Sequence, residues 1–295
     1  MSLPLLLLFA ALAPKPNPMV VDRAWLAERL KDPKLVMLQV GDPRSKPDYD
    51  AGHIPGSQFV SFADDMAAPM DHSDPKMLML ELPSPDRLKA TLEAKGIGND
   101  SYVVLVTAKQ YFSPTTRTYL TLTYAGLGGR VSILDGGIEA WTKEGRPVTT
   151  EVPSIRPGTL TLHLDSTVIV SADQLNQNRG KPGVAVVDAR DPKFFNGADA
   201  HQARSGRIPG AVNVPYFSFF TDDGFFKPVA AIDSIFTAAG VNKNDRVLSY
   251  CHIGQQATAV WFAARLLGHS ASLYDGSFDE WSRRTDLPVE AGKAP

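Results

Sequence analysis

Short runs of β-branched and aliphatic residues alternate with longer stretches in which apolar residues recur at helical spacing. The runs Val36–Val40, Tyr102–Val106, Val184–Val187 and Arg246–Tyr250 read as strands. Pro85–Gly96 and Thr258–Leu267 carry the apolar spacing of helices that cover one face of a sheet. Such alternation predicts an α/β fold with a mainly parallel central sheet flanked by helices.

The pattern occurs twice. Val36–Phe62 (VMLQVGDPRSKPDYDAGHIPGSQFVSF) matches Val184–Phe219 (VAVVDARDPKFFNGADAHQARSGRIPGAVNVPYFSF), the strand Tyr102–Val106 matches Arg246–Tyr250, and VSILDGGIEAWTKEGRPV (131–148) matches ASLYDGSFDEWSRRTDLPV (271–289). Three landmarks in the same order over so long a period mean two copies of one domain, not a solenoid. Between them, TTEVPSIRPGTLTLHL from Thr149 to Leu164 has two prolines, a glycine and no sustained period. The expected division is a first domain at 19–149, a linker at 150–164 and a second domain at 165–295.

Ahead of both lies an apolar run, Leu3–Leu12, with Ala11 and Ala13 placed as around a cleavage site. It is too short to span a bilayer core of about 30 Å. Residues 1–18 therefore read as a short signal peptide and predict export, for instance to a periplasm. The alternative is a cytoplasmic protein that starts at Met19. Length and composition fit this picture: 295 residues suffice for two domains, 43% are hydrophobic, and the net charge of -2 offers no attraction to nucleic acid. The single cysteine, Cys251, excludes an intrachain disulfide and a multi-cysteine zinc site.

Cys251 itself lies where chemistry is expected. The strand VLSY ends immediately before it, HIGQQ forms a polar loop, and the helix pattern ATAVWFAARLL runs to Gly268. A residue between a strand's C-terminal end and a helix N-terminus faces the usual ligand crevice of an open α/β sheet. Unpaired amides of the loop and first helical turn converge there and favour negative charge. The spacing therefore predicts a thiolate substantially ionised at neutral pH, with Gly254 letting the loop curl its amides inward.

The order of D-A-R, a G-H/R-I-P-G turn, strand-Y-C-x-x-G-x-x-A-helix and L-Y-D-G-S-F-x-E-W resembles the tandem-domain rhodanese sulfurtransferases from about residue 20 to 290. The resemblance implies two rhodanese-like domains of which only the second is catalytic. In the first, the loop VTAKQYFSPTTR would place Ala108 or Tyr111 at the thiol position. It further implies that Cys251 takes a sulfane sulfur from a small donor, thiosulfate in the leading case, and passes it from a persulfide to cyanide or a thiol, which could belong to a protein. The amides of His252, Ile253, Gly254, Gln255 and Gln256 would cradle the persulfide, and no metal or organic cofactor is needed. Neither nucleic acid nor membrane is an expected partner.

Other residues receive roles by the same route. The resemblance gives Arg190 contact with the anionic end of the donor; the alternative is an ion pair with Asp188 or Asp191. Asp188 reads as structural, and so do Arg207 and His53, which precede matching Ile-Pro-Gly turns. Asp275 and Gly276 correspond to a loop near the active site. Trp25, Trp141, Trp261 and Trp281 read as core, and the His252 side chain either assists as an acid or base or faces solvent. Ile253 departs from the family pattern, which has a basic residue there in thiosulfate enzymes and a small polar one in mercaptopyruvate enzymes. The donor is thus open between thiosulfate and 3-mercaptopyruvate, and a persulfide carrier loaded by a partner protein is a further reading. Ala257 stands where a C-x5-R phosphatase loop would need arginine, which argues against phosphatase chemistry.

Overall fold

The computed structural model describes residues 18–71, 73–108, 112–199 and 201–292. Nearly all of the apolar N-terminal segment read as a signal peptide, and Tyr111 in the first domain's loop, lie outside the described residues.

Each half forms a sheet of five parallel strands. In the first, β1 (Val20–Val21), β2 (Leu35–Gly41), β3 (Ser57–Ser61), β4 (Tyr102–Thr107) and β5 (Val131–Leu134) lie in the order β1-β5-β4-β2-β3. In the second, β6 (Ile169–Val170), β7 (Val184–Asp188), β8 (Val212–Asn213), β9 (Arg246–Tyr250) and β10 (Ala271–Tyr274) repeat it as β6-β10-β9-β7-β8. Central strands covered on both faces must be apolar throughout, which is why β4 reads YVVLVT and β9 RVLSY instead of alternating. Each Ile-Pro-Gly turn is tied back to the end of its own domain by an antiparallel bridge, His53 to Thr149 and Arg207 to Glu290.

The helices follow their caps. Pro85–Ala94 starts at Ser84, whose side chain accepts from the Arg87 amide, and the turn at Gly96 ends it two residues before the expected stop. Ala257–Leu266 begins one residue earlier than its apolar spacing indicates and ends before Gly268, which has φ +85. Trp141, Trp261 and Trp281 are fully buried, each donating its indole N–H to a backbone carbonyl, whereas Trp25 is only half-buried and packs edge-on to Tyr102.

The linker is not a free tether. Residues 151–165 form no helix or strand, yet Gly158, Leu160, Thr161 and Asp165 donate their amides to Glu93, Asn99 and Tyr124 of the first domain. The domains also share a core. The helix Phe112–Leu122 of the first packs against Ala257–Leu266 of the second, with Phe112 stacked on Phe220 at 4.1 Å and Tyr119 edge-on to Phe262 at 4.8 Å. Every residue from Ser113 to Leu122 is buried although six of them are polar or charged, namely Ser113, Thr115, Thr116, Arg117, Thr118 and Thr121. Burial of that kind requires polar partners, and the second domain supplies several of them.

Candidate active site

Cys251 follows β9, the middle strand of the second sheet, and is completely buried. Its backbone is stapled to the next turn of the fold: its amide donates to Ser277 Oγ at 3.1 Å, and its carbonyl accepts from the Phe278 amide at 3.0 Å. The His252 carbonyl accepts from the Asp279 amide at 3.0 Å. With the chain held there, the loop curls so that the amides of Ile253, Gly254, Gln256 and Ala257 hydrogen-bond to the sulfur. Of the expected cradle, Ile253, Gly254 and Gln256 are in this set and Ala257 joins them, whereas the His252 and Gln255 amides are not among the four. Gly254 has φ +78, and a β-carbon on it would meet the Asp275 carbonyl at 2.5 Å, so the curl needs glycine.

Burial works against the expected ionised thiol. Complete burial pushes the Cys251 thiol above its ordinary range, and the opposing hydrogen bonds from the four amides do not cancel that penalty. His252 does not compensate, because burial and the nearby Arg190 push its imidazole down to about 4. The ring is neutral, accepts a hydrogen bond at Nδ1 from Gln202 at 2.8 Å, and lies edge-on to Phe194 at 4.6 Å.

Arg190 lies in a buried ion pair. Its guanidinium is 1% exposed, bonds Asp188 through Nε and Nη2, and donates to the Gly206 carbonyl at 2.7 Å. Phe278 lies beneath it at 4.1 Å. So committed a group is not presented to a donor, and the ion pair with Asp188 is the reading this geometry supports. Arg207 pairs with Glu290 and donates to the Gly292 carbonyl at 2.7 Å, fastening the C-terminal segment; His53 bonds Tyr49 and Glu151 carbonyls in the equivalent place.

Beside the sulfur is a cavity of about 180 Å³ lined by Ser113, Tyr216, Cys251, His252, Ile253, Gln255 and Gln256. No lysine, arginine or carboxylate is among those residues. The space is below the roughly 300–1,000 Å³ of drug-sized pockets and suits a few heavy atoms. Ser113 comes from the first domain, accepting from Gln255 Nε2 at 3.0 Å. Three residues on, Thr116 Oγ1 meets Thr258 Oγ1 at 2.7 Å. Arg117 then pairs with Asp275 and donates to the Gly254 carbonyl at 3.1 Å and the Leu80 carbonyl at 2.7 Å. Asp275, which also accepts from the Leu82 amide at 3.0 Å, is thus the meeting point of the two domains behind the loop. Sequence reasoning passed over Ser113, Arg117, Tyr216 and Ser277. The available signal was the density of polar residues in FSPTTRTYLTL, too many for a buried helix without partners.

The first domain's counterpart of Cys251 is Thr107, not Ala108 or Tyr111. In the first sheet Val106 pairs with Gln39 on one side and Leu134 on the other; in the second, Tyr250 pairs with Asp188 and follows Ser249, which pairs with Leu273. Aligning D-G-G with D-G-S puts Leu134 on Tyr274, hence Val106 on Tyr250 and Thr107 on Cys251.

The sequence model of the rhodanese-like domain matches residues 22–144 and 171–284. Thiosulfate sulfurtransferase of Rattus norvegicus is 30% identical over 295 residues, covering 93% of this chain and 96% of the relative. Sulfur carrier protein TtuD of Thermus thermophilus is 31% identical over 288 residues, covering 93% and 97%. Among solved structures, YnjE superposes with a TM-score of 0.82 at 22% identity, covering 94% of this chain and 69% of that one, a likeness of fold. The chain belongs to the rhodanese-like family and is a sulfurtransferase of that type.

Proposed function

We propose that Cys251 is the sulfur-carrying nucleophile and that the first domain, with Thr107 in the equivalent place, takes no sulfur. The observation that carries this is the single cysteine with four amides on its sulfur. Cys251 gives up its proton to solvent and the resulting thiolate attacks the sulfane sulfur of thiosulfate; the S–S bond to the sulfonate breaks and sulfite leaves with the electron pair. A persulfide anion remains on Cys251, stabilised by the Ile253, Gly254, Gln256 and Ala257 amides. Cyanide or a thiolate then attacks the outer sulfur, forming thiocyanate or a new persulfide, and the Cys251 thiolate departs. No group beyond this chain and its two substrates is required by the balance.

One observation favours a second reading. The cavity lining carries no cation, so a dianion such as thiosulfate would be held by amides and neutral side chains alone, weakening it by about 1–3 kcal/mol relative to a site with a charged contact. An organic or protein persulfide bears less charge at the transferred sulfur and suits this lining better. That reading makes the protein a persulfide carrier, in keeping with the name of its Thermus relative. The N-terminal run supports export of either form, testable by sequencing the mature N-terminus.

Intact-mass spectrometry after brief exposure to thiosulfate or 3-mercaptopyruvate tests the proposal. The expected result is a gain of one sulfur on wild type, absent from Cys251→Ala and reversed by cyanide. No gain from either donor overturns small-molecule loading, and gain only from a protein persulfide establishes the carrier reading.

A further inference from the structure

Among the described residues, only two non-glycine residues have a positive φ, Leu80 at 60° and Ser277 at 52°. Strained backbone of this kind persists where the surroundings impose it and gathers at functional sites. Ser277 touches Cys251 directly, and Leu80 is linked to the loop through Arg117. Ser277 holds the Cys251 amide from within the second domain. Leu80 belongs to the first domain, and its carbonyl accepts from Arg117 Nη2, the same guanidinium whose Nη1 donates to the Gly254 carbonyl.

We propose that Arg117, in the domain without the thiol, is a positioning residue that holds the Gly254 peptide in the orientation from which the loop amides reach the sulfur. It rests on the reading that Cys251 is the reacting sulfur. The geometry is specific. Gly254 is the turning point of the loop, and its own amide is one of the four on Cys251. Its carbonyl, which belongs to the next peptide unit joining Gly254 to Gln255, is received by a fully buried guanidinium. That guanidinium is fixed in turn by the Asp275 carboxylate and the Leu80 carbonyl, and Asp275 is fixed by the Leu82 amide. A planar fork reaches three acceptors at once, which a lysine ammonium on a flexible stem does not reproduce. On the far side of the loop, Gln255 and Thr258 are held by Ser113 and Thr116 of the same helix. The first domain thus supplies the rigid backing of the cradle through Arg117, which does not line the donor cavity.

Removing Arg117 alone would strand Asp275 as a buried charge, so the informative variant is Arg117→Met with Asp275→Asn, which removes both charges. Arg283→Ala serves as a control: Arg283 reaches the Pro75 carbonyl across the domains from an exposed position. Hydrogen exchange of the peptide spanning 252–257 and single-turnover sulfur loading from thiosulfate are read on each, with thermal stability. The expected result for the double variant is faster exchange in that peptide, and a loading rate lowered about tenfold at an unchanged half-saturating thiosulfate concentration, because Arg117 does not line the donor cavity. Arg117→Lys should fall between it and wild type, and Arg283→Ala should match wild type. A folded double variant with wild-type exchange and loading overturns the proposal and leaves Arg117 as interdomain glue. If the double variant does not fold, Arg117→Lys decides by the same two readings. If wild type takes no sulfur from thiosulfate, the donor reading fails, while exchange of the 252–257 peptide still decides the role of Arg117.

Discussion

The two strand-to-helix junctions at Thr107 and Cys251 are built on the same frame and differ in what they can do. Both follow the middle strand of a five-stranded parallel sheet of identical order, and both lie under a D-G-G or D-G-S turn. Across the domain interface the frames even exchange equivalent bonds: Asp135 accepts from the Phe226 amide at 2.9 Å, as Asp275 accepts from Leu82. Function therefore does not lie in the fold. It lies in three local differences: a thiol in place of a hydroxyl, Ser277 in place of Gly137, and Arg117 fastened behind the Cys251 loop. The third is lodged in the domain that lacks the thiol, which explains how a domain without a nucleophile contributes to the site.

The most severe way to break this comparison is to move the thiol. Thr107→Cys combined with Cys251→Ala puts sulfur on the equivalent frame, away from the amides of Ile253, Gly254, Gln256 and Ala257 and the Arg117 contact behind them. The expected outcome is complete loss of persulfide formation, read by intact mass. A gain of one sulfur on the relocated cysteine would mean that the sheet and helix alone suffice and that the loop is secondary.

Next in size is Gly254→Ala. The added β-carbon would meet the Asp275 carbonyl at 2.5 Å and Asp275 Oδ1 at 2.8 Å, in a backbone conformation that alanine adopts at a cost of about 1–2 kcal/mol. The loop must shift away from Asp275, and amides leave the sulfur. Sulfur loading should fall by at least about tenfold while the fold survives, measured by single-turnover mass spectrometry beside a thermal melt. Loading at the wild-type rate would show that the curl at Gly254 is dispensable.

The sequence made Cys251, the loop and Gly254 legible because their signals are local: a strand, a cysteine, a glycine and a helix within twenty residues. The sheet order repeats because the halves repeat. Arg117 was illegible because it sits in a helix of polar residues that becomes buried only when a segment 137 residues away closes over it. Thr107 was missed for a different reason: the loops differ in length, and only strand register places the gap. The burial that opposes ionisation of the thiol was missed because loop amides can be read from sequence and complete burial cannot. Arg190 could be read either way, since the carboxylate that claims it lies two residues earlier.

A smaller effect follows from that burial. The folded thiol holds its proton to higher pH than the thiol of the unfolded chain, so above the ordinary thiol range the folded state binds more protons than the unfolded one. Stability attributable to Cys251 is then fully present below that range and is lost as pH rises through it toward the folded value. Denaturant melts at pH 7 and pH 10 should show wild type losing more stability than Cys251→Ala. Equal losses would mean the thiol is as acidic folded as unfolded. Alkylation of the folded protein should likewise accelerate with pH beyond the ordinary thiol range, whereas the Thr107 junction has no titration to show.

The finest change converts the second turn into the first. Ser277→Gly turns D-G-S into D-G-G and relieves a left-handed serine, worth about 1–2 kcal/mol. It also removes Ser277 Oγ, which accepts from the Cys251 amide and donates to the Tyr274 carbonyl at 2.9 Å. A buried amide left without a partner costs about 1–3 kcal/mol. The two nearly cancel, so stability should change by no more than about 1 kcal/mol while sulfur loading falls by roughly two- to tenfold as the cysteine backbone loosens. If the variant is more stable and loads more slowly, the serine is kept at a cost in strain because it fixes Cys251. If it loads at the wild-type rate, Gly137 and Ser277 are interchangeable, and the difference between the two junctions reduces to the thiol and the arginine behind it.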